Sequence, residues 1–207
     1  MPKEWDGIVS RYINRKVSRP MAMFLAKYPQ ISPNHITFSS FLAALASGLA
    51  FCLFQPILGG VLAQLSSILD GVDGDLAILT SRVSLFGGFL DALLDRYGDS
   101  LILVGMTYCV FITNRQNMVG IAVGTAALIG SVMVSYSRTR AKSDLSLVFN
   151  KGFVGYAANR DVRLLIVMLG GILNQIYATL LILATLTNLV VLMRVYHAWN
   201  STRMQQK

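Results

Sequence analysis

Five aspartates lie close together in an otherwise strongly apolar chain, and this cluster constrains the fold more than any other feature. The sequence has only ten acidic residues among 207, and five of them fall within residues 70–95. Apolar runs long enough to cross a bilayer flank this stretch. A charged side chain at the bilayer centre costs at least about 2.5–3.5 kcal/mol unless a cation or a water-filled cavity compensates it. The sequence therefore predicts a membrane helix bundle built around a polar functional site.

The spacing of these acids predicts how their side chains meet. Asp70 and Asp73 are three residues apart, and Asp91 and Asp95 are four apart, so on helices each pair projects from one face. If residues 80–83 make the two helices antiparallel neighbours, the pairs converge into an all-oxygen site. Such a site suits Mg2+ or Mn2+. Zinc is excluded as the expected metal, because the two histidines and two cysteines have no zinc-ligand spacing.

Residues 70–95 resemble the signature of the CDP-alcohol phosphotransferases, D-x2-D-G-x2-A-R-x8-G-x3-D-x3-D. Seven of its eight fixed residues are present: Asp70, Asp73, Gly74, Ala77, Gly87, Asp91 and Asp95. The eighth differs, because Ile78 stands where the family has arginine. The resemblance is specific, since this spacing arises rarely by chance in a chain with so few acids.

The resemblance implies an integral membrane enzyme that moves a phosphoalcohol from a CDP-alcohol donor to an alcohol acceptor and releases CMP. It implies two Mg2+ or Mn2+ ions, held by Asp70, Asp73, Asp91 and Asp95. It also implies that Asp95 acts as the general base on the acceptor hydroxyl. The small residues Gly74, Ala77 and Gly87 are expected to admit the cytidine and ribose.

A second match to the family precedes the first long apolar run. Family members often begin this run with P-N-x-(I/V)-T, and Pro33, Asn34, Ile36 and Thr37 fit that pattern. Two interpretations of Asn34 and Thr37 stay open: they contact the nucleotide, or they belong to an ordinary helix start after Pro33.

Four arginines form a second candidate site, for an anionic acceptor: Arg138, Arg140, Arg160 and Arg163. Guanidinium groups bind phosphate well, but the positive-inside rule alone also places arginines at cytoplasmic loops. The surrounding Y-S-R-x-R-A and R-D-V-R-L resemble the inositol-phosphate-accepting branch of the family. That branch implies inositol 1-phosphate as the acceptor and CDP-inositol or a CDP-lipid as the donor.

Composition agrees with an all-α integral membrane protein. The chain is 54% hydrophobic and 14% charged, with a mean hydropathy of +0.57. The net charge of +8 comes from basic residues beside apolar spans, so nucleic acid is not an expected partner. We expect six spans, at about His35–Phe54, Ile57–Leu79, Ser84–Thr113, Met118–Tyr136, Asp161–Ile172 and Tyr177–Tyr196. An even count with the basic residues on one side, except Arg115, places both termini and the site in the cytoplasm.

The chain is expected to divide into three parts. Residues 1–32 interleave basic and apolar residues, which favours an amphipathic helix lying on the membrane surface, although a solvated basic tail is the alternative. Residues 33–200 would form the six-helix membrane domain, and residues 201–207 a basic C-terminal tail. A homodimer is implied by the resemblance alone.

Three acid or basic residues near the cluster lie outside the signature. Arg96 and Asp99 are expected to be structural, one neutralising the acids and the other pairing or capping, whereas Asp75 is ambiguous. Two rival functions remain. Acids in membrane spans also mark ion paths, as in a cation transporter or channel. The isoleucine at position 78 also permits a non-catalytic member of the family.

Overall fold

A computed structural model describes residues 9–10, 14–113, 118–149 and 152–205. In these ranges the protein is all-helical and has no strand. Its helices, in chain order, are α1 (Arg15–Leu25), α2 (Pro33–Cys52), α3 (Pro56–Leu79), α4 (Leu85–Thr113), α5 (Met118–Leu145), α6 (Gly152–Tyr156), α7 (Arg160–Ile172) and α8 (Ile176–Gln205). Residues 114–117, between the third and fourth predicted spans and including Arg115, lie outside the described residues.

Local sequence signals set the ends of α2 and α3. Pro33 and Pro56 occupy first-turn positions, where the missing N–H costs nothing. Ser32 forms a capping box with His35 at the start of α2. α3 ends in a Schellman motif, in which Ser81 adopts a left-handed φ of 55°. The same conformation at Phe54 ends α2, so both helices stop abruptly and the chain reverses between them.

α5 is longer than predicted. The fourth span was expected to end near Tyr136, with Arg138 and Arg140 in a loop, but α5 continues to Leu145. That expectation was wrong because no glycine or proline follows until Gly152, and charged residues are good helix formers once the helix leaves the apolar layer. The two arginines therefore lie about 200° apart around a helix, and they point to different sides.

α2 is the helix on which α3 and α4 pack. The contact with α4 is very close: a Cβ built on Gly105 would lie 2.2 Å from the Gly48 carbonyl oxygen, and one on Gly48 would lie 2.6 Å from that of Leu101. Only glycine permits this approach, as at the helix interfaces of membrane proteins. The glycines therefore set the distance between α2 and α4.

One apolar core joins most of the bundle. Six helices, α2, α3, α4, α5, α7 and α8, contribute buried residues to it, among them Phe51, Ile102, Met106, Leu180 and Leu183. α5 packs mainly on α8, and α7 packs on α3 and α8. The core therefore holds α3, α4 and α7 in fixed relative positions, and these are the helices that carry the acids and two of the arginines.

α1 packs on α3. It buries Ser18 and Ala22 and exposes Val17 and Phe24. Apolar residues are thus available on its free side, as the predicted surface helix requires. Its contact with a membrane remains a prediction.

Among the described residues, three helices are long and apolar enough to cross a membrane: α2, α5 and α8. α3 and α4 also exceed 20 residues, but they carry the acids. α7 has 13 residues and is about 20 Å long, shorter than a hydrocarbon core of about 30 Å. α8 continues through residue 205, so the predicted tail at 201–207 begins inside this helix.

Gly105→Ala should lower the stability of the bundle by about 1–3 kcal/mol, because the added methyl group would overlap the α2 backbone. Thermal unfolding of the detergent-solubilised protein measures this loss. Gly88→Ala is the matched control, since a Cβ at Gly88 meets no atom within 4 Å. Equal melting temperatures for the two variants would show that α2 and α4 are not in close contact.

Candidate active site

Three of the four predicted metal ligands converge. Carboxylate oxygens of Asp70, Asp91 and Asp95 all lie within 4.8 Å of one another. Asp70 comes from α3 and the other two from α4, whose side chains reach across the space beside α2. The acids of α3 and α4 therefore meet without direct packing of α3 on α4, because both helices pack on α2.

Asp73 stands slightly apart from this cluster. Its side chain is buried and accepts a hydrogen bond from Thr37 Oγ1 at 2.6 Å. Thr37 is one of the residues predicted to contact the nucleotide, and here it fixes the orientation of the Asp73 carboxylate. Asp73 lines the same cavity as Asp91. The fourth carboxylate therefore belongs to the site, oriented by α2.

A cavity of about 250 Å³ opens on one side of the acids. We call it the donor cavity. It is lined by Asp73 and Asp91 and by every residue predicted to bind the nucleotide: Asn34, Thr37, Gly74, Ala77 and Gly87. A Cβ on Gly87 would lie 3.3 Å from Asn34 Oδ1, so the glycine keeps this wall open. Five residues from three helices thus meet in one space.

A second cavity of about 250 Å³ opens on the other side of the acids. We call it the arginine cavity. It is lined by Asp70 and Asp95 together with Arg138, Arg160 and Arg163. The fourth predicted arginine, Arg140, is not among its lining residues. It is exposed and pairs with Asp144 at 2.6 Å, because it points away from Arg138 around α5.

Arg160 is the cation nearest the acid cluster. Its Nη1 lies 3.2 Å from both Asp70 and Asp95, and its Nε donates to Asp99 at 3.1 Å. Its Nη2 donates to Ser66 Oγ at 3.0 Å. One guanidinium thus joins α7 to α3 and α4 and offsets part of the negative charge.

Asp99 holds the arginine pair in place. It is buried and also pairs with Arg163, which donates to the Ala158 carbonyl at 2.7 Å. The expectation that Asp99 pairs is confirmed. Arg96, by contrast, lies 3.8 Å from Asp95 and donates to the Ala92 carbonyl, so it neutralises the acids less than Arg160 does.

Arg138 lines the arginine cavity and also forms hydrogen bonds that stabilise the fold. Its Nη2 donates to the Gly155 carbonyl at 2.7 Å and to Asn159 Oδ1 at 2.9 Å. These bonds tie Gly155 and Asn159 to α5, and Asn159 also lines the arginine cavity. Arg138 therefore shapes this cavity as well as contributing charge to it.

The sequence did not predict how the N-terminal region meets the site. Arg15 pairs with the buried Asp75, which settles the ambiguity of that residue as a link from α1 to α3. Asn14 donates to Ser67 Oγ at 2.9 Å and accepts from Gln64 at 2.8 Å. Asn14 also lines the arginine cavity. Polar residues of α3 one turn before Asp70 were the available signal for this contact.

Asp91 Oδ1 is buried and has no hydrogen-bond partner among the described residues. No ion pair to Asp91 occurs within the described residues. Asp91 belongs to a cluster of three carboxylates that have oxygens within 4.8 Å of one another. Such a cluster fits a hard divalent cation, which requires oxygen ligands.

The sequence matches a known protein family over most of its length. Residues 30–200 match the model described as CDP-alcohol phosphatidyltransferase, and the chain belongs to this family. The chain is 36% identical to the bifunctional IPC transferase and DIPP synthase of Aquifex aeolicus, over 94% of this chain and 44% of that protein. The chain spans less than half the length of these bifunctional relatives.

A shorter relative matches over most of its length. The archaetidylinositol phosphate synthase of Pyrococcus horikoshii is 36% identical, over 81% of this chain and 84% of that protein. A solved structure shares the fold: the Mycobacterium tuberculosis phosphatidylinositol phosphate synthase with CDP-DAG bound has a TM-score of 0.75 and 23% identity. The match covers 89% of this chain and 94% of that one.

Asp99→Asn should destabilise the protein by about 3–5 kcal/mol, because it removes the buried partner of two guanidinium groups. Thermal unfolding measures the change. Asp144→Asn removes only the exposed pair with Arg140, and its cost should stay below about 1 kcal/mol. If Asp99→Asn were as stable as Asp144→Asn, Asp99 would not anchor the arginines.

Proposed function

We propose that this protein transfers a phosphoalcohol group from a CDP-activated donor to an alcohol acceptor and releases CMP. One observation carries the proposal: Asp70, Asp91 and Asp95 converge between the donor cavity and the arginine cavity. One cavity contains all the residues expected to meet the nucleotide. The other carries the cations that an acceptor phosphate requires. The acids lie where the two substrates would meet.

The residues fit a divalent metal. Asp70, Asp91 and Asp95 would hold Mg2+ or Mn2+, with Asp73 as the fourth ligand and two ions in all. A bound divalent cation would neutralise the negative charge of the donor's diphosphate as the bond to CMP breaks. Thr37 keeps the Asp73 carboxylate turned in one direction. The packing of α3 and α4 on α2 fixes the distance between the two pairs of acids.

Asp95 is the proposed general base. It lines the arginine cavity, whereas Asp91, one turn earlier, lines the donor cavity. A base must lie within hydrogen-bond reach of the proton that it removes, and Asp95 is on the side where the acceptor hydroxyl would enter. Arg160 Nη1 lies 3.2 Å from an Asp95 oxygen, so this ion pair holds the carboxylate in position on that side.

The proposed acceptor is inositol 1-phosphate. Its phosphate would bind Arg138, Arg160 and Arg163, and the position of all three in the wall of the arginine cavity supports this assignment. Arg140 has no part in it, since it lies outside the cavity. Relatives named for inositol phosphate products, at 36% identity, support the same acceptor class.

The proposed donor is CDP-inositol, as in a DIPP synthase. Three relatives of that name are 36–40% identical to the chain. A CDP-lipid donor is the second candidate, because the archaetidylinositol phosphate synthases match over 84% and 94% of their own length. Lipid synthesis would follow from the second donor only.

The proposed membrane arrangement has six embedded helices, α2, α3, α4, α5, α7 and α8, in one domain of residues 33–200. The short α7 fits if its first turn lies in a hydrated cavity, and Arg160 in that turn does reach three aspartates. Both termini and the site would face the cytoplasm, with α1 on the membrane surface. A homodimer, implied by the resemblance, belongs to the same proposal.

Asp95→Asn should reduce CMP release by at least a thousandfold, because the variant keeps the shape of the site but loses its base. The assay incubates purified protein with Mg2+, inositol 1-phosphate and either CDP-inositol or CDP-diacylglycerol. Mass spectrometry of the product then identifies the donor. Asp144→Asn, in an exposed ion pair, is the control.

Ion flux through liposomes without CMP release from either donor would refute the enzyme and favour a cation transporter. Full activity of Asp95→Asn would refute the assignment of the base.

Arg160→Lys should raise the KM for inositol 1-phosphate at least about tenfold and leave the KM for the donor nearly unchanged. Lysine keeps the charge but loses the planar fork that binds phosphate at two points. Arg140→Lys should change neither constant, because Arg140 lies outside the cavity. Equal effects of the two substitutions on the acceptor KM would contradict the proposed phosphate site.

A further inference from the structure

Position 78 presents an apolar side chain to the donor cavity. Ile78 is 52% exposed and lines this cavity with Asp73 and Asp91. An isoleucine offers an anionic ligand neither charge nor a hydrogen bond. Two carboxylates line the same space, so a diphosphate would meet repulsion there unless a cation compensates it.

A cationic residue, four positions further along the chain, also lines this cavity. Arg82 is among the residues that line the cavity. The Schellman motif at the end of α3 places it there: Ser81 N–H donates to the Ile78 carbonyl at 3.2 Å, and Arg82 N–H donates to that of Ala77 at 2.9 Å. The chain thereby turns back, and Arg82 lies beside Ile78 instead of continuing away from it.

The Arg82 guanidinium has N–H donors left with which it can bind a ligand. Its Nη1 donates to the Pro29 carbonyl at 2.9 Å and lies 3.5 Å from the Ile31 carbonyl. No ion pair joins it to an acid within the described residues. A guanidinium has five N–H donors, and these contacts involve one nitrogen. Arg82 is also the sole cation among the described lining residues of the donor cavity.

We propose that Arg82 is a donor-binding residue. It supplies, four residues later, the guanidinium that Ile78 cannot, and it binds the diphosphate of the CDP donor. The inference rests on the proposed function, since it assumes a CDP donor in this cavity. It explains how a chain without the signature arginine retains a cation for the nucleotide. With Arg82 in this role, donor binding does not require a cation at position 78.

A purely structural role is the competing explanation, because Arg82 also fastens residues 29–31. The two roles differ in one respect. If Arg82 acts by binding the donor, an arginine at position 78 should replace it. If it acts only through residues 29–31, an arginine at position 78 has no contact with them to restore.

The test compares Arg82→Gln, Ile78→Arg and the double variant Arg82→Gln/Ile78→Arg with the unaltered protein. Calorimetry with CDP and Mg2+ measures binding without requiring turnover. CMP release at varied CDP-inositol and at varied inositol 1-phosphate measures both KM values. Arg203→Gln, which changes an arginine stacked on Trp199 far along α8, is the control. Melting temperatures show that each variant is folded.

Arg82→Gln should weaken CDP binding and raise the donor KM roughly tenfold or more, the loss expected for a charge-assisted hydrogen bond, with the acceptor KM unchanged. The double variant should recover to within about threefold of the unaltered protein. Ile78→Arg alone should change little. The proposal is overturned if Arg82→Gln binds CDP normally, or if the double variant is as weak as Arg82→Gln.

The same data separate this proposal from the function on which it rests. If the unaltered protein binds CDP but releases no CMP from either donor, the proposed reaction fails, while CDP binding still decides the role of Arg82. If the unaltered protein does not bind CDP, both are refuted.

Discussion

Repulsion between converging carboxylates is the constraint on which the rest of the structure depends. Oxygens of Asp70, Asp91 and Asp95 lie within 4.8 Å of one another. At an effective dielectric constant near 20, each pair of full charges at this distance repels by about 3–4 kcal/mol. Arg160 offsets part of this repulsion, because its Nη1 lies 3.2 Å from oxygens of both Asp70 and Asp95. Asp91 receives no such partner among the described residues. The site is therefore compensated in part, and the remaining charge is what a divalent cation would neutralise.

The bundle is arranged so that this compensation is possible. α2 holds α3 and α4 through close packing at glycines such as Gly105, and the acids of the two helices meet beside it. α7 packs on α3 and presents its arginines, three residues apart on one face, to the buried Asp99. The same placement divides the surroundings of the acids into a cavity with small and polar residues and one with arginines. Two differently charged spaces on either side of one acid cluster are what a two-substrate transfer requires.

Sequence patterns predicted the parts of this site that depend on helical spacing. The two aspartate pairs and the small residues between them lie on α3 and α4, and their repeats place them on common faces. The placement of Arg160 and Arg163 on one face of α7 follows from the same rule. Arg140 lies outside the arginine cavity because α5 continues past Tyr136, and the helix places Arg140 about 200° around its axis from Arg138. The contacts of Asp75 with Arg15 and of Asn14 with Ser67 were not predictable. Each joins the start of α1 to α3, across 60 and 53 residues of sequence, and spacing along one helix carries no information about such contacts.

The central claim is that these aspartates bind a divalent cation at the meeting point of the two cavities. Anomalous diffraction from crystals grown with Mn2+ and CDP tests it most directly, because manganese scatters anomalously and the acids do not. The account predicts manganese peaks within about 2.0–2.6 Å of oxygens of Asp70, Asp91 and Asp95, with the CDP phosphates on the donor-cavity side. Peaks elsewhere, or an acid cluster bound only by Arg160 at saturating Mn2+, would contradict it.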